Sequence, residues 1–139
     1  MIGFKLTNLV FDGQMIIDKA DKAAMRALRV IGFQTRQHAM NSMKNGSGAS
    51  APGTPPNVQV GTLKRFTIYQ IDKDAKSVVI GPKYLKKKSR DAASALEKGG
   101  TSINTKGKPI RIAKRPFMVP AFDSIKRQQV PAVFENSLR

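Results

Sequence analysis

From about Gln14 to Met43 the apolar residues recur with a helical period. Placed at steps of about 100°, Ile16, Ile17, Ala20, Ala23, Ala24, Ala27, Leu28 and Ile31 gather on one arc. Lys19, Lys22, Arg26, Arg29 and Arg36 fall together on the opposite side. The many alanines favour helix and let another element approach closely. Asp18 stands four residues before Lys22, a spacing that adds slight support. Asp12 is placed to cap the helix start, and residues 4–11 before it read as a short strand or lead-in.

The period then stops. Residues 45–60 are dominated by Gly, Ser and Pro, which predicts a long flexible loop outside the core. Two strands are expected next, at 63–71 and 77–80, rich in Ile, Val, Tyr and Phe, with a hairpin turn at Asp72-Lys73-Asp74-Ala75. Gly81-Pro82 ends the second strand. A basic stretch through Lys86, Lys87, Lys88 and Arg90 leads into a short helix at 91–98, stopped by Gly99-Gly100. Lys106-Gly107-Lys108 makes a turn before a strand at 109–113. Pro120 suits the first turn of a second helix, which Pro131 should kink or divide before a last piece at 132–138. The order predicts one α+β domain over residues 1–139. In it a long N-terminal helix and a C-terminal helix pack on a small, mostly antiparallel sheet, with 45–60 as a flexible arm.

Charge changes the picture most. Twenty-five Lys and Arg against nine acids give +16 and a pI near 10.6. Such a surface attracts polyanions, and phosphate contacts of this kind carry no sequence information. The candidates for polyanion contact are Lys19, Lys22, Arg26, Arg29 and Arg36 on the helix, Lys86, Lys87 and Lys88, and Lys106, Lys108 and Arg111. There is no Trp and aromatics total 6%, so stacking platforms for single strands are poorly supplied. No finger, repeat or helix-turn-helix signature is present, which disfavours readout of a specific DNA sequence.

Catalytic constellations are not apparent. With no Cys and one His, His38, the chain lacks the usual zinc ligands and any thiolate nucleophile. Gly46-Ser47-Gly48 lacks the Gly-Lys-Ser/Thr of a phosphate loop and has no strand before it to make a nucleophile elbow. Asp72 and Asp74 are close but belong to a turn, where Asp is expected. We therefore expect no enzyme, no cofactor and no metal. No apolar run approaches the roughly 20 residues of a membrane span. The opening residues have no charged-then-apolar signal pattern, so a soluble intracellular origin is expected.

Five segments, in order, resemble the head–tail joining (neck or tail-completion) family of long-tailed, lambdoid-type bacteriophages. They are the long Ala- and Lys-rich helix at about 14–43 and Val60-Gly61-Thr62-Leu63-Lys64-Arg65-Phe66-Thr67-Ile68. Val78-Val79-Ile80-Gly81-Pro82 and Ala95-Leu96-Glu97-Lys98-Gly99-Gly100-Thr101-Ser102 follow. The last is Arg115-Pro116-Phe117-Met118-Val119-Pro120-Ala121-Phe122. In this final motif Pro116 and Pro120 fix the chain's entry into the helix, while Phe117 and Met118 are expected to anchor it on the sheet as core packing, with Leu63 and Arg115 as the other framework residues.

The resemblance implies a virion structural protein, assembled in the host cytoplasm into a sixfold or twelvefold homo-oligomeric ring at the neck. Its neighbours would be head-completion or connector proteins on one side and tail-terminator or tail-tube proteins on the other, with double-stranded DNA in the lumen and no membrane partner. A closed ring needs heterologous interfaces. The candidates are Pro52, Pro55 and Pro56 of the arm, Leu85 with the basic stretch after it, and Glu97 paired with a neighbour's cation. Two alternatives stay open: a terminator ring at the top of the tail tube, and an autonomous, non-specific DNA-binding protein.

Overall fold

The computed structural model describes residues 13–59, 61–83, 92–104 and 106–137. The expected lead-in at 4–11, the cap at Asp12, Leu85 and the cations from Lys86 to Arg90 lie outside these residues. Helix α1 (Gly13–Ser42) is 30 residues long, about 45 Å at 1.5 Å per residue. Its buried stripe is Ala23, Ala27, Ile31, Thr35 and Ala39, continued by Met43 just past its end. Four-residue steps advance about 40° each around a helix, so the stripe drifts toward Arg36 in the C-terminal half. Arg36 is accordingly half-buried, its Nε donating to the Thr67 carbonyl at 2.8 Å. At the other end the covered stripe starts only at Ala23, and Ile16 and Ile17 are 51% and 54% exposed.

A short helix α2 (Thr62–Phe66) occupies the start of the expected first strand. Leu63, Lys64 and Arg65 favour helix, and the strand formers take over only afterwards. Buried Thr67 closes the turn, its hydroxyl donating to the Leu63 carbonyl at 2.8 Å. Strands β1 (Thr67–Asp72) and β2 (Ser77–Pro82) pair antiparallel, Tyr69 opposite Ile80 and Ile71 opposite Val78. Their hairpin turn forms as expected: the Asp72 carboxylate accepts from the backbone N–H of Asp74 and Ala75 at 3.0 and 2.9 Å. The hairpin packs on α1 at Gly32, where a Cβ would stand 2.7 Å from Tyr69 Cδ2 and 2.9 Å from Val78 Cγ2.

Helix α3 (Ala92–Lys98) ends at Gly99, whose φ of 77° is left-handed and whose N–H bonds to the Ala95 carbonyl. Gly100 does not simply end the helix; it opens a strand that the sequence reading lacked. This β3 (Gly100–Ile103) pairs antiparallel with β4 (Pro109–Ile112) around the expected Lys106-Gly107-Lys108 turn. The strands thus make two separate two-stranded ribbons. Helices α4 (Met118–Gln128) and α5 (Val130–Ser137) are divided as expected, but at Gln129, so the last piece starts at Val130 and holds Pro131 in its first turn. Both C-terminal helices lie against α1. The architecture is α+β.

The main cluster joins Ala39, Met43, Phe117 and Ala121, with Val58, Leu63, Leu96 and Met118 packed around it. Phe117, 1% exposed, is therefore anchored on α1 and not on a sheet, because α4 lies along α1. The segment after α1 departs further from expectation. Asn45 and Val58 form a parallel bridge, and the Val58 and Gly53 N–H groups bond to the Lys44 and Lys114 carbonyls, each at 2.8 Å. Pro56 is buried and Val58 touches the cluster, so the loop contributes to the core it was expected to avoid.

Candidate nucleic-acid interface

The anticipated cations divide into two groups. On α1, Lys19, Lys22, Arg26 and Arg29 are exposed. This side of the helix is mixed. Asp21 stands within it and bonds to Lys76 at 2.8 Å, the one ion pair among the described residues. Arg26 donates to the Ser137 carbonyl at 3.0 Å, where the C-terminus of α5 favours a cation. Val30 and Phe33, 40% and 49% exposed, sit one turn beyond Arg26 and Arg29. Arg36, turned inward to Thr67, leaves the group; its guanidinium serves packing because the drifting stripe reaches it.

The second group is on the β3–β4 ribbon. Lys106, Lys108 and Arg111 are all exposed, as is every described residue from Lys106 to Arg111. Asn104 Oδ1 accepts from the backbone N–H of Lys106 and Lys108 at 3.0 and 2.9 Å, its own N–H bonds to the Lys108 carbonyl, and Gly107 takes the left-handed φ of 80°. Facing pairs alternate between the ribbon's two sides. Ser102 and Ile110 belong to the side on which Ser102 is buried, and Thr101, Ile103, Pro109 and Arg111 form the outward one. Of the described elements, α3 makes the main contact with the ribbon. The flanking Lys98 and Lys114 add to it, so residues 98–115 hold six cations and no acid. The second strand needed to display them is what the sequence reading missed: Gly100–Ile103 is short and has one strong strand former.

The interface candidates fare differently. Pro52 is exposed, Pro55 half-buried and Pro56 buried within its own chain. Glu97 is taken up internally: Oε2 accepts from the Phe117 and Met118 N–H at 3.0 and 3.1 Å and Oε1 from the Val119 N–H at 2.8 Å. Phe117, the N-cap of α4, has no side-chain oxygen to serve these donors. The fourth N–H that a helix start leaves unpaired would belong to Pro120, which has none. Glu97 thus accounts for every orphan donor of α4, and the expected role as a neighbour's salt-bridge partner gives way to this cap.

Arg115 is the other joining residue. Its N–H bonds to the Leu96 carbonyl at 2.6 Å, and its Nε donates to the Ser50 carbonyl at 2.7 Å, tying α3 and the loop to the start of α4. A cleft of about 340 Å³ lies beside it, with Met43, Pro56, Leu63 and Leu96 among its walls. His38 is exposed, and no group of three or more His, Asp or Glu able to hold a metal occurs among the described residues. No helix described is long and apolar enough to cross a membrane. Compared with protein-family models, curated proteins and solved structures, the chain matches none.

Proposed function

We propose that the chain is a structural subunit of a phage neck. Copies of it close into a ring, sixfold or twelvefold, that joins the DNA-filled head to the tail and surrounds the DNA. The observation that carries this reading is the meeting of the segments that bear the resemblance. Leu63, Leu96, Phe117 and Met118 come from three of those segments, separated by up to 55 positions, and gather on Ala39 of α1 and Met43 just past its end. Glu97 and Arg115 bond the last two segments directly. A set of motifs that together build one framework is what a shared fold requires.

The distribution of apolar residues supports an assembling subunit. Among the described residues five of the nine buried hydrophobics are alanines, while eleven large apolar side chains are exposed. Where such side chains lie together they mark a surface for a partner. The working contacts with DNA would be many, weak and unspecific, since the duplex has to slide.

The test is electron microscopy of lysates made with a nonsense allele of this gene. The neck reading expects DNA-filled heads beside separate, finished tails. Normal infectious particles, or heads without DNA, would remove it and favour a DNA-compacting protein, which binds duplex tightly as a free monomer or dimer.

A further inference from the structure

We propose that the β3–β4 ribbon is the part of this protein that touches duplex DNA, with Lys106, Lys108 and Arg111 on its phosphates. The inference rests on the neck reading for its setting and on the ribbon's own geometry for its substance. Two cationic surfaces compete for the role, and they differ in kind. The α1 surface has acids within it, engages Arg26 on a carbonyl of α5 and places Val30 and Phe33 among its cations. Mixed charge beside exposed apolar side chains suits a protein partner better than a polyanion. The ribbon differs in its charge: five exposed cations and no acid over residues 98–114, with every described position from 106 to 111 exposed, Ile110 included, and Ile103 beside them.

Rigidity strengthens the case. Four hydrogen bonds to Asn104 hold the backbone at Lys106, Gly107 and Lys108, so little further backbone freedom is lost at these positions on contact. Arg111 stands on the outward side opposite Thr101, three residues from Lys108, and its planar guanidinium suits bidentate contact with a phosphate. Strands in such a ribbon lie about 4.8 Å apart, narrow enough to approach a duplex edge-on. No side chain on the ribbon offers an aromatic stacking surface, and Lys and Arg on phosphates read no sequence.

The experiment measures binding of the full-length chain to a fluorescent 20-base-pair duplex of mixed sequence by anisotropy between 50 and 200 mM salt. Each phosphate neutralised contributes about −0.9 to the slope of log K against log salt. Lys106→Ala/Lys108→Ala/Arg111→Ala should therefore flatten the slope by about 2.7 and weaken binding more than tenfold at the low-salt end. The charge-matched control Lys19→Ala/Lys22→Ala/Arg29→Ala should change the slope by less than one. Equal effects from the two triple variants would reduce the ribbon to its share of the net charge and overturn the proposal. So would displacement of the duplex by poly-glutamate at equal charge, which would make an acidic protein the partner. Glutamine substitutions at the same ribbon positions should repeat the loss, and an unchanged circular dichroism melt excludes unfolding. Rings seen by electron microscopy without ribbon-dependent binding would sink this inference alone. Ribbon-dependent binding by a chain that never forms a ring would sink the neck reading alone.

Discussion

Replacing Glu97 with alanine should destabilise the chain by about 2–3 kcal/mol, an unusual cost for a half-exposed carboxylate. The figure follows from what the carboxylate does. It accepts three backbone N–H groups at 2.8 to 3.1 Å, where loss of an ordinary N-cap costs about 1 kcal/mol and up to about 2. The negative charge at a helix N-terminus adds about 0.3–1 kcal/mol. Solvent at Val119 softens the loss, because that donor can turn to water, whereas Phe117 is buried and its N–H has less recourse. For a chain of this size the sum corresponds to a fall in melting temperature on the order of 10 °C. Glu97→Gln keeps acceptor oxygen but loses the charge and one acceptor, so about half of the effect should remain. The assay is urea unfolding followed by circular dichroism at a protein concentration fixed for all variants. A Glu97→Ala change below about 0.5 kcal/mol, the level of an ordinary surface substitution, would refute the cap. Loss of oligomer with the unfolding curve intact would return Glu97 to the subunit interface.

Three further outcomes follow from the packing. Gly32→Ala gains up to about 1 kcal/mol of helix propensity but drives a Cβ to 2.7 Å from Tyr69 Cδ2. Overpacking of that sort costs about 1–3 kcal/mol, so urea titration should show net destabilisation, relieved when Val78→Ala and Tyr69→Leu are added. Phe117→Ala removes the largest fully buried side chain among the described residues and should cost about 3–5 kcal/mol, seen as loss of the cooperative thermal transition, whereas Phe117→Leu should still fold. Arg115→Ala releases the carbonyl of Ser50, and thermolysin should then cut within 45–59 several-fold faster; unchanged cleavage would show that the Gly53–Lys114 and Val58–Lys44 bonds hold the loop by themselves.

What could be read from the chain beforehand was what local sequence encodes. Helix α1 announces itself through thirty residues of one period, the β1–β2 turn through Asp72, the end of α3 through Gly99, and the break before α5 through Pro131. Each signal acts within a few residues of its effect. The rest depends on partners far apart in sequence. Glu97 looks like any surface acid until α4 is brought over it, and Arg36 shares its helical stripe with cations that stay in solvent. The loop has the composition of an unstructured connector, yet Lys44, Lys114 and Arg115 supply bonding partners that composition does not record. Of the polyanion candidates among the described residues, the charge was legible, and so was the exposure of all but Arg36; their separation into a mixed helical face and an acid-free finger required the unforeseen β3.

The same packing makes a prediction about assembly that does not depend on any DNA. Of the large apolar side chains described, Ile31, Met43, Phe117 and Ile125 are buried, while Phe33, Val79, Val119, Phe122 and Phe134 are among those left 40% or more exposed. If association covers several of these, folding and assembly are linked, and stability rises with concentration by mass action. For a hexamer each tenfold increase should add about 1.2 kcal/mol per chain, close to RT ln 10, and raise the melting temperature by about 3–5 °C. Phe122→Ser, 42% exposed on α4, should flatten that dependence while leaving the dilute-limit melting temperature within about 2 °C, since a surface substitution in the isolated chain costs little. A wild-type melting temperature constant over a hundredfold range, with a monomer in sedimentation throughout, would mean that these side chains face solvent in the working protein. The ring would then lose its physical basis, because among the described residues no other surface feature asks for a neighbour as strongly as these uncovered side chains do.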